Sequence, residues 1–168
     1  LATAGNLNND IGVPLMLLRM RQTHRWCAIE LGMNHKGEIA YLADIARPSV
    51  ALVNNAQREH LEFMNSVAEV AAENAAVYAA LPPDGVAVVN ADDPHAQFFR
   101  GRAGARRVVD FGLDSPAQVT ARHAVGPLAS ELWLRTPQGE AQATLSIPGL
   151  HNVRNALAAA ASALAAGC

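Results

Sequence analysis

The chain has 168 residues, the length of about one domain, with 51% apolar and 17% charged residues, so a soluble globular fold with an aliphatic core is expected. Thirteen Lys and Arg against fifteen Asp and Glu leave a formal net charge of -2, which gives no electrostatic reason to expect nucleic acid or an anionic membrane as the main partner. No apolar run reaches the roughly 18 residues of a membrane span, no secretory leader pattern is seen, and Cys27 and Cys168 are too few for a disulfide framework, so a reducing cytoplasm is the expected location.

Taken in chain order, the stretch "GNLNNDIGVP" crowds Asn6, Asn8 and Asn9 ahead of an apolar run, more side-chain amides than a turn requires. Residues 11–20 read as a helix with Pro14 near its first turn, where a missing N–H is tolerated. "WCAIEL" (26–31) reads as a first short strand. In "GEIAYLADIA", Ile39, Leu42 and Ile45 fall on one helical face, and Pro48 closes that helix. "SVALVNN" (49–55) is a second strand. Ser66 and Glu69 form the S-x-x-E capping box of a helix over 66–81, ended by Pro82-Pro83-Asp84-Gly85. "VAVVN" (86–90) is a third strand, Asp93-Pro94 an N-cap with its first helical residue, and "RRVVDF" (106–111) a fourth strand. Strands separated by helices argue for an α/β fold, a mostly parallel sheet flanked by helices.

After Pro116 the pattern changes. Segments 118–125, 130–136 and 141–147 read as strands with no helical spacer, and "TPQGEA" is a hairpin signal between the last two. Residues 116–147 are therefore expected to form a small antiparallel sheet within a single domain spanning 1–168. "PGLHNVRNALAAAASALAAG" returns to helix. The chain starts at Leu1 and stops just after this Ala-rich segment, so it is expected to be a piece of a longer protein.

In parallel α/β sheets, ligands bind outside the carboxyl ends of the strands. Glu30 ends the first strand, Asn54 and Asn55 the second, with His60 beyond, and Asn90 the third, with Asp92 and Asp93 following. A carboxylate entering an apolar strand is costly unless paired or metal-bound, so Glu30 reads either as a metal or catalytic group or as an ion pair at the sheet rim. His60 by itself reads as a structural loop histidine, and Asp92 and Asp93 as helix caps. Asn74 interrupts the apolar stripe of Val67, Val70, Val77, Tyr78 and Leu81; its amide either satisfies a backbone group or faces a site. In "HNVRNA", His151 and Asn155 share one helix face. They, with Asn152, either cap the helix or present an imidazole and an amide to a planar ligand such as a nucleobase.

Taken together, "TAGNLNNDIGVPLMLL", "AIELGMNHKGEIAYL", "RPSVALVNNAQREHLEFM", "GVAVVNADD" and "PGLHNVRNALAAAA" resemble, in the family's order, the ATP-dependent Mur ligases of peptidoglycan synthesis, and the first of them resembles the D-alanyl-D-alanine-adding branch. The resemblance implies the central ATP-binding domain of a three-domain cytoplasmic ligase. Such enzymes use ATP to activate the carboxylate of UDP-MurNAc-tripeptide as an acyl phosphate, which the amine of D-Ala-D-Ala attacks, with Mg²⁺ neutralising the converging charges. It also implies roles: Glu30 and His60 at the metal, His151, Asn152 and Asn155 at the adenine of ATP, and Asn6, Asn8 and Asn9 in the loop that meets the UDP-MurNAc-peptide. An imidazole is an unusual ligand for so oxygen-loving a cation, so the role of His60 rests on the resemblance alone.

The sequence departs from the family twice. It has no phosphate-cradling G-x-x-G-K-[ST] loop, so the domain is expected to be truncated, with a phosphate-loop strand and helix upstream and a C-terminal domain missing, and to be inactive alone. Many relatives carry a carbamylated lysine where Asn74 falls, and an amide cannot be modified that way; Asn74 is expected to face the catalytic site all the same. Two alternatives stay open: another amide ligase of the superfamily, such as a folylpolyglutamate synthase or a different Mur ligase, and a non-catalytic module that binds a nucleotide sugar or a protein partner.

Overall fold

The computed structural model describes residues 1–57 and 64–168, and everything below concerns those residues. Its parallel sheet holds β1 (Val50–Val53), β2 (Val86–Asn90) and β3 (Arg107–Phe111), in that order, with Val50 opposite Val86 and Val86 opposite Arg107. All five residues of the central strand β2 are buried, as a strand covered on both faces requires. The alternation is visible in its partners. Ala87 and Val89 face a cluster with Ile39, Ala43, Val70, Tyr78 and Phe99, whereas Val86 and Val88 face one with Phe111, Leu157 and Ala161.

Helices supply those two layers. α1 (Gly12–Leu18) and α2 (Glu38–Ala46) precede β1; α3 (Val67–Asn74), continued as a 3₁₀ turn over Ala75–Ala80, links β1 to β2; α4 (Ala96–Ala103) links β2 to β3. α5 (Leu150–Ala165) covers the opposite face through Leu157, Ala158 and Ala161. The Ser66 hydroxyl accepts from the Glu69 N–H at 3.2 Å, as the capping box predicts. The expected single helix tightens from α to 3₁₀ after Asn74, and Leu81 turns extended, the conformation that the following Pro82 imposes. The Tyr78 phenol, buried under β2, donates to the Val88 carbonyl at 2.9 Å; burial pushes its pKa up, reinforced by the charge of Asp93 and opposed by a hydrogen bond from Val53.

The second sheet is antiparallel: β4 (Thr120–Val125), β5 (Ser130–Thr136) and β6 (Gly139–Leu145). Thr136 pairs with Gly139 across the two-residue turn Pro137-Gln138, so the hairpin signal holds with strand β6 starting two residues earlier than the pattern implies. A single rung between Phe111 and Val119 joins the two sheets' chain segments.

Two expectations are corrected here. Residues 26–31 form no strand of either sheet: Ala28 makes one parallel rung with Ala2, and Ala28 and Glu30 are exposed. An apolar run reads as a strand only when a neighbour runs beside it, and among the described residues only the first few residues of the chain do. The helix after β2 begins at Ala96 rather than Pro94: Asp93 accepts the His95 N–H at 2.7 Å, the bond expected of a cap, but Pro94 and His95 form a turn ahead of the helix, and the second Asp93 oxygen accepts the Ala56 N–H at 2.8 Å.

Candidate functional site

An open cavity of about 690 Å³ is lined by Asn6, Asn8, Asn9, Glu30 and Asn74, with Asn34, Glu38 and Tyr41 among its other walls. Five of the residues singled out from sequence therefore meet on one surface, although they come from three separate stretches of chain. The turn that carries the asparagines is tightly tied. The Asn9 side-chain oxygen accepts from Ile11 N–H at 3.2 Å and Gly12 N–H at 2.8 Å, fixing the start of α1. Gly12 has no alternative there, since a Cβ would come within 2.4 Å of the Leu7 carbonyl carbon.

Asn8 reaches across to the carboxylate. Its Nδ2 donates to Glu30 Oε1 at 2.8 Å, while its carbonyl accepts from Gly32 N–H, also at 2.8 Å. A Cβ on Gly32 would lie 2.7 Å from that amide nitrogen, so glycine is needed for the approach. The Glu30 N–H in turn donates to the Thr3 hydroxyl at 2.8 Å. Glu30 is thus an exposed carboxylate held by an amide on one oxygen, not one buried at a strand end, and among the described residues it forms no ion pair at the rim. Asn74, half-buried at the junction between α3 and its 3₁₀ continuation, faces the same cavity.

Next to Asn74 in sequence, but not lining the cavity, is a residue that sequence reasoning passed over. Glu73 is 9% exposed, and its carboxylate accepts from Gly37 N–H and Ile39 N–H, both at 2.9 Å, capping α2 from α3. Periodicity marks Asn74 as the stripe breaker and says nothing of its neighbour, because the partners of Glu73 lie in another element. Glu38 is held by the Asn34 N–H at 2.6 Å and the His35 N–H at 2.9 Å, and those two bonds lower its pKa below the ordinary 4.5.

A second polar group lies where β1 and β2 end. Asn54 Nδ2 donates to Asn155 Oδ1 of α5 at 3.2 Å, and Asn90 Nδ2 donates to the Asn54 carbonyl at 2.8 Å. Asn152 is committed locally, its Nδ2 donating to the Pro148 carbonyl at 2.7 Å, which ties the helix to the residue before it without capping a helical N–H. His151 is exposed, and its ring sits so near Gly149 that a Cβ there would meet it at 2.6 Å. The exposed ring could swing aside, so it is the φ of +109° that calls for glycine at 149. Asp92 caps a loop rather than a helix: burial opposes its charge, but N–H bonds from Leu113, Ser115 and Asp114 prevail and lower its pKa. His60, expected at the metal, lies outside the described residues.

The donors on the cavity suit a hard cation. They are carboxylate and amide oxygens, and Glu30 keeps Oε2 clear of the Asn8 bond. Among the described residues no three His, Cys, Asp or Glu side chains gather into a metal cluster. Mg²⁺ typically takes one or two carboxylates and completes its shell with water and substrate phosphates.

The sequence pattern of the Mur ligase middle domain matches residues 1–163. The chain is 42% identical over 170 residues to the UDP-N-acetylmuramoyl-tripeptide–D-alanyl-D-alanine ligase of Escherichia coli, covering 99% of this chain and 37% of that protein. A crystal structure of MurF from Acinetobacter baumannii superposes with a TM-score of 0.95 at 38% identity, over 100% of this chain and 37% of that one. The MurF ligase of Thermotoga maritima in complex with ADP shares the fold, with a TM-score of 0.85 at 21% identity over 99% of this chain and 39% of that one. The chain thus spans little more than a third of the length of these relatives.

Proposed function

The chain belongs to the Mur ligase middle-domain family, and from that premise we propose that the intact protein is an ATP-dependent amide ligase that adds D-Ala-D-Ala to UDP-MurNAc-tripeptide in the cytoplasm. The observation that carries this reading is the meeting of Asn6, Asn8, Asn9, Glu30 and Asn74 on one cavity, in a chain whose relatives are named for that reaction. In this reading the phosphate-cradling loop and the domain that receives the amine belong to polypeptide outside these residues, and residues 1–168 alone do not turn over.

Within the domain, Glu30 would hold Mg²⁺ through the oxygen not bonded to Asn8, and a metal role for His60 rests on the family resemblance alone. When bound, the ion neutralises phosphate and carboxylate charge as they are brought together. Asn8 keeps the Glu30 carboxylate from rotating away. Asn9 and Asn6 hold the loop against which the peptide substrate lies. Asn74 contributes an uncharged amide where a negative group would otherwise add to the charge, and orders the solvent beside the ion. His151 and Asn155 receive the adenine of ATP, with Asn152 fixing the start of their helix.

The test is phosphate release by the intact ligase with ATP, Mg²⁺, UDP-MurNAc-tripeptide and a choice of amine. Release that depends on D-Ala-D-Ala supports the reading. Release with a single amino acid instead assigns the chain to another ligase of the superfamily, and tight nucleotide-sugar binding with no release under any amine assigns it to a binding module.

A further inference from the structure

The turn after β2 clamps the loop after β1 from two sides. Asn90, 8% exposed, donates Nδ2 to the Asn54 carbonyl at 2.8 Å and accepts the Asp92 N–H on Oδ1 at 2.9 Å, so backbone groups fix both ends of its amide. Asp93, 7% exposed, accepts the Ala56 N–H at 2.8 Å. The backbone on either side of Asn55 is therefore immobilised by buried side chains. From this loop Asn54 donates Nδ2 to Asn155 Oδ1 at 3.2 Å, which leaves the Nδ2 donors of Asn155 uncommitted among the described residues.

We propose that Asn54 is a positioning residue for the nucleobase site: it holds the amide of Asn155 in one of its two orientations, and so makes that site prefer adenine. This rests on the reading of Asn155 as base-facing. An amide pairs with adenine through an oxygen that accepts the exocyclic amine and a nitrogen that donates to a ring nitrogen. Hypoxanthine offers an acceptor where adenine offers that amine. An amide free to flip accommodates either base; one held by Asn54 presents only the pattern that matches adenine. Asn90 and Asp93 act at one remove, by fixing the loop from which Asn54 projects.

The experiment measures ADP and inosine diphosphate binding to the intact ligase by calorimetry for Asn54→Val, which removes the amide, and Asn54→Asp, which keeps its shape but can only accept. Asn54→Val is expected to weaken ADP by about 3- to 10-fold and to narrow the preference for ADP over inosine diphosphate, while Asn54→Asp, by turning the Asn155 amide to donate to it, narrows that preference further. Asn155→Ala should weaken ADP at least as much, and adding Asn54→Val to it should cost nothing further. Equal behaviour of the Val and Asp variants, with the base preference unchanged, overturns the role of Asn54 while leaving Asn155 in place. Unchanged ADP affinity in Asn155→Ala overturns the base-facing reading and this inference with it. Thermal melts separate both results from misfolding, since a purely structural role would lower the melting temperature of the variants without moving the base preference.

Discussion

The cavity around Glu30 and the amide cluster around Asn54 adjoin the same α/β core, yet they are held by different means. Glu30 is exposed and is placed by loop groups: the Asn8 amide, the Thr3 hydroxyl and a glycine that permits close approach. Asn54 is placed by side chains that are themselves buried, Asn90 and Asp93, at the end of a fully buried strand. The first arrangement leaves a charged oxygen in solvent contact, which a cation can reach at little desolvation cost. The second builds its geometry from groups that are costly to leave unpaired, so function and stability are coupled there. Reactivity and rigidity are thus divided between two regions of one domain.

The largest expected effect separates the two regions outright. Glu30→Gln in the intact ligase should reduce the rate of phosphate release by about 100-fold or more while leaving the unfolding midpoint nearly unchanged, because an exposed carboxylate contributes to charge stabilisation and little to packing. Asn74→Ala should lower the rate less, by roughly 10-fold, again without a comparable loss of stability. A parallel fall in rate and stability for either variant would erase the distinction and reduce Asn74 to a core amide.

Asp93→Ala should show the opposite pattern. It leaves the N–H groups of Ala56 and His95 without their acceptor at a buried turn, a loss of about 2–4 kcal/mol in a urea unfolding experiment. Nucleotide affinity should fall with it, since the loop that carries Asn54 loses its anchor. A variant that kept full stability would show that the clamp is dispensable and that the cluster is held as loosely as the cavity.

The smallest effect lies beside the cavity, where α3 meets the loop before α2. The Lys36 ammonium, 2.9 Å from the Glu69 carboxylate, together with the Asn65 N–H and amide, lowers the Glu69 pKa from 4.5 to about 2. A depressed carboxyl pKa adds stability that is complete above 4.5 and is lost as the pH falls towards about 2. The pair is solvent-exposed and screened, so the contribution is small. Unfolding midpoints of Glu69→Gln and the parent should differ slightly at neutral pH and converge by pH 2. A difference that persisted at pH 2 would mean that Glu69 acts through packing rather than charge.

Much of the fold is legible in the sequence because it rests on local chemistry. The helix over 66–81 is announced by Ser66, Glu69 and Pro82, and the hairpin by its Pro-Gln-Gly turn; both appear where expected. The first strand fails for the opposite reason. "WCAIEL" has the composition of a strand, but strand identity belongs to a pair of segments, and among the described residues only Ala2 supplies a rung. The same division runs through the site. Asn8, Glu30 and Asn74 can be picked out as polar residues in unusual places, yet nothing in their spacing says that they share a cavity. Glu73 gives no signal at all, since its carboxylate is needed only once α2 has been brought alongside α3.

By itself the sequence determines the order of elements, the buried faces of β2 and α5, and the kinds of polar group available, because capping, turn chemistry and hydrophobic periodicity act within a few residues. Only the tertiary structure decides which polar groups meet. The contacts of Asn8 with Glu30, of Glu73 with the start of α2, and of Asn54 with Asn155 bridge 22, 36 and 101 positions of chain. Hydrogen bonds form over about 3 Å, so only a packed core that brings distant segments to that separation selects their partners.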